Sequence, residues 1–409
     1  MSLCWLPYKE VHLYVPSGAV MYCCKQDDKH YKLDDFSSGK DILFNEQLTK
    51  LKKDLYTGKK PDVCSSCWRA ENLGSTSWRQ QEGAIPHNYN NETTLLSNNV
   101  YVDHVNLYFD NTCDLACVYC NADFSSRWEN ELGRTQHSFA KFLTKSSVNH
   151  NIEIYNNRIA KVLDFLQQLG KYTKSDFLNI TILGGEPLLS PQIKDGEFVK
   201  YLQAFLSNAS KQFNLMLTLH TNANSPKKLL DRFITDFDII KEQYPNVKLK
   251  VVLSIDTVGK PSEYIRYGST WKNVSANIDT FLTHVDYVQF YPTFSLLNIP
   301  SFVNYLEWLE TVYMKHSEPI QIRSGVVFEP DYLSPYILPS KYINRAIDKC
   351  IKLQHIFNKN DYQLLLHRLY DIKNNAKTNQ RSLDKLKLYF DYIQTTRQQN
   401  YVDYLGNIL

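Results

Sequence analysis

The chain lacks any apolar run approaching the roughly 20 residues that a bilayer-spanning helix needs. Its opening, MSLCWLPYKEVHLYV, has neither the basic start nor the long apolar stretch of a secretion signal. Net charge is also scarce. Lys and Arg number 46 against 43 Asp and Glu, a formal +3 over 409 residues, so nothing global points to a nucleic-acid or membrane partner. Internal repeats and low-complexity tracts are missing as well. These absences set an expectation of a soluble, cytoplasmic protein. The sequon at Asn91 then carries no weight, because glycosylation needs secretion.

What the chain does have is room for two or three domains and an apolar fraction of 43%, ample for buried cores. It also has nine cysteines: Cys4, Cys23, Cys24, Cys64, Cys67, Cys113, Cys117, Cys120 and Cys350. An odd count in tight clusters suits a reducing compartment, where thiolates bind metal, better than it suits a disulfide framework.

The pattern along the chain changes three times. Residues 1–82 hold five of the cysteines, and 83–99, which contain PHNYNNETTLLSNN, read as a linker. From 100 to 330, six short apolar runs alternate with helical patterns: HVNLYFD, FLNITILGG, LMLTLHT, LKVVLSID, VDYVQFYPTF and IQIRSGVVF. Several are apolar on both pleat faces, as parallel strands covered on both sides require. Between them, 155–169 sets Ile159, Val162, Leu163, Leu166 and Leu169 on one stripe and stops at Gly170, a C-terminal cap. The alternation predicts an α/β parallel sheet, either open or curled into an incomplete barrel. Residues 331–409 form a helical, locally basic extension in which Leu383, Leu386 and Phe390 share a face. Cys350 falls in one of its helices and is expected to be buried as a small apolar residue.

NTCDLACVYC follows the first of the six runs, in the place where parallel α/β folds bind ligands. Its C-x3-C-x2-C spacing can wrap three corners of a cubane iron-sulfur cluster and leave one iron free. A zinc site or three ordinary loop cysteines remain the alternatives. LGGEP ends the second run. Two glycines let a ligand lie against the sheet edge, and Glu186 can accept hydrogen bonds from an ammonium group, although a tight turn reads the same way. Thr221 and Asn222 end the third run and Ser254 and Asp256 the fourth; they suit ribose hydroxyls or a carboxylate, or equally helix N-caps. Arg266 can fork onto a carboxylate or sit on the surface.

The cysteine loop, the GGE motif and the six-fold alternation together resemble the radical S-adenosylmethionine (SAM) superfamily over residues 100–330. The resemblance implies an incomplete (β/α)6 TIM-like barrel with a [4Fe-4S] cluster on Cys113, Cys117 and Cys120. SAM would chelate the fourth iron, with Gly184, Gly185 and Glu186 at its amino group. Tyr119 matches the position near the adenine, and Ser254 the position contacting carboxylate or ribose; Asn222, Asp256 and Arg266 join the cofactor-binding set. Reductive cleavage of SAM then gives methionine and a 5′-deoxyadenosyl radical that abstracts hydrogen from a substrate. An electron donor such as a flavodoxin or ferredoxin is implied.

In the N-terminal module, Val11, Leu13 and Val15 alternate into a turn at 16–18, and a second strand from Ala19 delivers Cys23. Leu48, Leu51 and Leu55 mark a short helix before Cys64 and Cys67. Cys4, Cys23, Cys64 and Cys67 make a full set of four, enough to close a zinc or a cluster, with Cys24 an alternative to Cys23. This α+β module is similar to the SPASM and twitch modules that hold auxiliary [4Fe-4S] clusters, but it precedes the barrel instead of following it. Many members of such families modify peptides or proteins, which sets the expected substrate class. Modification of a nucleotide, RNA or sugar is the second reading, and a zinc- or cluster-bearing module without turnover the third.

Overall fold

A computed structural model of the chain describes residues 3–26, 31–72, 74, 76–84, 99–209, 212, 214–377 and 379–406. Of the expected linker 83–99, residues 85–98 lie outside the described residues. The chain divides into two compact units: Met1–Asp110 with Ser147–Leu219 and Arg232–Leu249, and Asn111–Ser146 with His220–Asp231 and Lys250–Leu409.

The strands are β1 (Glu10–Tyr14), β2 (Val20–Met21), β3 (His104–Tyr108), β4 (Phe177–Leu183) and β5 (Asn214–Thr221). They continue as β6 (Val247–Leu253), β7 (Tyr287–Phe290), β8 (Thr293–Phe294), β9 (Gln321–Ile322) and β10 (Gly325–Val326). Eight form one mostly parallel sheet in the order β2-β1-β3-β4-β5-β6-β7-β9; β8 and β10 pair separately. Each of the six expected runs contains one of its parallel strands, with helices between them. Strands β5 and β6 each run from one unit into the other.

In the first unit the hairpin of β1 and β2 forms as expected. Its first strand also pairs in parallel with β3, Glu10 opposite His104 through Tyr14 opposite Tyr108. The register places Leu13, Leu107, Ile182 and Leu219 side by side on one pleat face, all essentially excluded from solvent. The opposite face carries the row His12, Asn106, Thr181 and Thr218. This face is therefore polar, where the composition of the runs had suggested apolar residues on both sides. The Thr218 hydroxyl donates to Asn179 Oδ1 at 2.8 Å, and Asn106 Nδ2 lies 3.4 Å from His12 Nε2.

Two glycines set how closely the helices of this unit approach. The expected stop at Gly170 is not one: the helix spans Ile152–Tyr172 and is capped by Thr173. Gly170 is there because a Cβ would lie 2.7 Å from the Phe205 ring. At Gly39 a Cβ would lie 2.0 Å from the backbone nitrogen of Phe165, and its own N–H donates to Asp164 Oδ2 at 2.7 Å. Buried Arg158 ties the same long helix to the hairpin through the carbonyls of Val15 and Pro16, both at 2.9 Å, and through Asp34.

The second unit holds the end of β6, β7 to β10 and most of the remaining helices. Its extension is helical as expected, with segments at Ser340–Lys352, Lys359–Asn375, Gln380–Arg397 and Tyr401–Leu405. Cys350 is fully buried, and Leu386 and Phe390 face the core while Leu383 is half-buried. Among the described residues no helix is long and apolar enough to cross a membrane.

Candidate metal centre

The three-thiol loop follows β3 and lies wholly in the second unit. Its backbone runs beside residues 265–267: Ala116 N–H donates to the Tyr267 carbonyl at 2.9 Å and Val118 N–H to that of Ile265 at 2.8 Å. The helix Ser126–Arg134 begins directly after it, capped by Ser125. That cap residue also donates its hydroxyl to the Leu115 carbonyl at 2.6 Å. Arg127 donates to the Asp114 carbonyl at 2.6 Å, Trp128 Nε1 to that of Cys117 at 2.7 Å, and the Tyr389 hydroxyl to that of Val118 at 2.6 Å. The Cys113 N–H donates to Ser126 Oγ at 3.1 Å. Buried carbonyls without partners are costly. Here each finds a fixed donor, so the loop that carries the thiols is held in one conformation.

Cys117 is buried, and Cys113 and Cys120 are half-buried. Burial raises the Cys117 thiol above its ordinary range and pushes Cys120 up to about 12. These groups stay protonated at neutral pH unless a cation replaces the proton, which is how metal ions bind thiols.

Tyr119, Asp256 and Arg266 meet beside the loop. Tyr119 donates its hydroxyl to Asp256 Oδ2 at 2.5 Å, and Arg266 Nε lies 2.9 Å from the same oxygen. Arg266 also donates to the Tyr119 hydroxyl at 2.7 Å, and its Nη1 lies 3.7 Å from Cys117 Sγ. The other Asp256 oxygen accepts from Thr293 N–H at 2.8 Å. Burial holds the Tyr119 hydroxyl well above its usual range, and Asp256 keeps Arg266 firmly charged against the effect of burial. The carboxylate that Arg266 faces is thus one from its own chain, met through Nε alone and not as a fork.

Asn222, just past β5, lies 3.9 Å from Cys113 Sγ and donates to Asp114 Oδ1 at 3.0 Å. Asn224 donates to the second Asp114 oxygen at 2.6 Å. Neither Asp114 nor Asn224 stood out in the sequence, although Asp114 sits inside the motif. Ser254 is half-buried, and its N–H donates to the Thr221 carbonyl at 2.9 Å. The second unit therefore brings together Cys113, Cys117, Cys120, Tyr119, Asn222, Asp256 and Arg266. Gly184, Gly185 and Glu186 belong to the first unit. Gly184 has φ +130° and a Cβ there would meet the Asp110 carbonyl at 2.7 Å, so this turn needs glycine. Glu186 is buried and accepts from Leu188 N–H at 3.3 Å, capping a single helical turn.

In the first unit, Cys4, Cys23, Cys64 and Cys67 line one cavity of about 20 Å³ together with Arg79. That is room for roughly one ion or water. Burial pushes Cys4 up to about 11 and Cys64 up to about 12. Cys24 is exposed.

The fold and the two thiol sets define an α/β protein with two candidate metal-binding regions. No family model matches the chain, and no curated protein matches it. Solved structures similar to it include native anSMEcpe with bound AdoMet: TM-score 0.40, 13% identity, covering 60% of this chain and 58% of that one. Another is native anSMEcpe with bound AdoMet and Cp18Cys peptide, at TM-score 0.38, 14% identity, and 60% and 57% coverage. A third is TYW1 with a lysine-pyruvate adduct, at TM-score 0.31, 13% identity, and 61% and 70% coverage. The chain thus spans under two thirds of the length of the anSMEcpe structures.

Proposed function

We propose that this chain is a radical SAM enzyme with an incomplete (β/α)6 barrel, in which Cys113, Cys117 and Cys120 hold a [4Fe-4S] cluster that binds SAM. The observation that carries the reading is the braced loop with three thiols at C-x3-C-x2-C spacing. The donor set fits the group. Among the described residues, the trio whose ligand atoms all lie within 4.8 Å of one another is Glu10, Cys23 and Cys24, not the loop cysteines. One zinc ion, with Zn–S near about 2.3 Å, would draw its sulfurs to within about 4 Å of each other. Three thiols on one short loop are the donors that a cluster with one open iron takes.

When bound, the cluster supplies the electron that cleaves SAM to methionine and a 5′-deoxyadenosyl radical. The chain's own share is positioning. Arg266 directs a charged N–H at Cys117 Sγ, Asp256 fixes Arg266, and Asn222 stands at Cys113. Gly184, Gly185 and Glu186 are assigned to the amino group of SAM, and Tyr119 and Ser254 to the adenosine and carboxylate side. A second cluster at Cys4, Cys23, Cys64 and Cys67, which would have to spread the lining of a cavity of about 20 Å³ that by itself suits a single zinc ion, makes residues 1–82 an auxiliary module ahead of the core at 100–330. A peptide or protein is the proposed substrate, and a flavodoxin or ferredoxin the electron donor.

Anaerobic reconstitution with iron and sulfide tests this. The intact chain should hold two cubanes and form 5′-deoxyadenosine from SAM under reduction. With Cys113, Cys117 and Cys120 all replaced by Ala it should hold one and form none. An unchanged iron content in that variant would refute the assignment.

A further inference from the structure

The first unit contains a group of donors that overlaps the second thiol set only at Cys23. Glu10 lies on β1, and Cys23 and Cys24 follow the short β2 that pairs with it. A carboxylate oxygen of Glu10 and the sulfurs of Cys23 and Cys24 all fall within 4.8 Å of one another. Neighbouring ligands on one tetrahedral ion stand about 3 to 4 Å apart, given bonds of about 2.0 to 2.3 Å.

Two independent observations mark the spot as built for a ligand. Glu10 Oε1 is buried and has no hydrogen-bond partner, an arrangement that folded proteins seldom leave without a ligand or ion to satisfy it. Beside it, His12 is 5% exposed and its Nδ1 is likewise unpartnered, while its Nε2 lies 3.7 Å from Glu10 Oε2. A strand that places a carboxylate with an unpartnered oxygen next to two thiols is a sink for positive charge.

We propose that Glu10, Cys23 and Cys24 bind a single zinc-class divalent cation, with His12 holding the Glu10 carboxylate. Two thiolates and a carboxylate are zinc donors in kind, and three protein ligands leave the fourth tetrahedral position to water. On binding, two metal–sulfur bonds and one metal–oxygen bond form, and the two thiol protons leave to solvent. The site is distinct from the Cys4–Cys64–Cys67 cavity but adjoins it through Cys23, which lines that cavity as well. A thiolate has lone pairs enough to serve both. The position of Cys24, exposed at the mouth, opens the site to metal from solvent.

The test uses the full chain with Cys113, Cys117, Cys120 and Cys64 replaced by Ala, stripped with chelator under anaerobic conditions and titrated with Co²⁺. One equivalent should bind with the intense visible bands of a tetrahedral ion and a sulfur-to-cobalt charge-transfer band. Adding Cys24→Ala should weaken binding by roughly 100-fold or more, since even residues that only orient a ligand are worth about 10–100-fold. It should also cut the charge-transfer intensity by about half, there being two thiolates to lose one from. Glu10→Gln should weaken binding while leaving that band in place. Cys24 is exposed and Glu10→Gln conserves shape, so both variants are to be compared at matched circular dichroism. Failure of the starting protein to bind Co²⁺, or unchanged affinity in both variants, would overturn the proposal. Two equivalents of iron-sulfur cluster in the reconstituted native chain, or none, would leave it standing.

Discussion

Replacing Asp256 by Ala isolates a buried ion pair of the second unit. Asp256 is 1% exposed, forms an ion pair with Arg266 at 2.9 Å and accepts from two groups, the Tyr119 hydroxyl at 2.5 Å and the Thr293 amide at 2.8 Å. Removing one partner of a buried ion pair costs about 3–5 kcal/mol, because the other charge stays buried without compensation. The orphaned Thr293 amide adds about 1–3 kcal/mol. The two costs share one site and do not simply add, so the expected loss is about 5 kcal/mol. With a urea dependence of about 3 kcal/mol per molar, the unfolding midpoint should fall by about 1.7 M.

The control is the double variant Asp256→Ala with Arg266→Met, which removes both charges and keeps apolar bulk. Buried pairs replaced by apolar residues are often neutral in stability, so the double variant should recover at least about half of the loss. Urea unfolding of the metal-free chain, followed by circular dichroism, measures both. A midpoint shift under about 0.3 M for the single variant, about 1 kcal/mol on the same scale, would mean that Arg266 has solvent or another anion to turn to. A double variant no better than the single one would refute the pairing itself.

Other outcomes follow from the same geometry. Gly170→Ala gains about 1 kcal/mol of helix propensity, yet its Cβ meets the Phe205 ring at 2.7 Å. Overpacking costs about 1–3 kcal/mol, so thermal unfolding should come earlier, and a stabilised variant would contradict the packing. Gly184→Ala places a side chain at φ +130° against the Asp110 carbonyl; a loss of about 1–3 kcal/mol is expected, read by denaturant titration. His220 is held at about 4 by burial and, secondarily, by Lys250, against an ordinary 6.5. Between those values the unfolded chain binds the extra proton, so stability is full above 6.5 and falls by about 2–3 kcal/mol as pH drops toward 4. His220→Gln should flatten that part of the pH profile; an unchanged slope would assign the proton uptake elsewhere.

The parts of the structure legible in the sequence are those set by short-range pattern. Each of the six runs holds a strand, the hairpin of β1 and β2 turns at residues 16–18 as read, and Leu48, Leu51 and Leu55 are buried on one helix. Gly170 was misread because a glycine near the end of a helix looks the same whether it frees φ or merely makes room for Phe205. Only packing distinguishes the two. The parallel pairing of β1 with β3 joins segments about ninety residues apart, and no local propensity reports on that. The polar row on the second pleat face escaped notice because Asn, Thr and His are single residues within otherwise apolar runs. Their register across strands, not their number, makes them a surface.

At the candidate centre the same division separates ligands from their surroundings. Three thiols in eight residues announce themselves. What orients them does not, since Tyr389 reaches the Val118 carbonyl from 271 residues away and Arg266 approaches Cys117 from 149. Asp256 and Arg266 were each singled out as groups that could face a bound carboxylate or ribose. Their pairing gives them a further consequence. A carboxylate that fixes a guanidinium leaves the Nη1 edge aimed at Cys117 Sγ, so a positive charge beside that sulfur is held by a carboxylate rather than left mobile. Charge and N–H donors close to a metal-bound sulfur stabilise the more electron-rich state of the metal. The ion pair thereby couples the stability of the second unit to the electronic setting of its thiols. A substitution at Asp256 should therefore disturb both together.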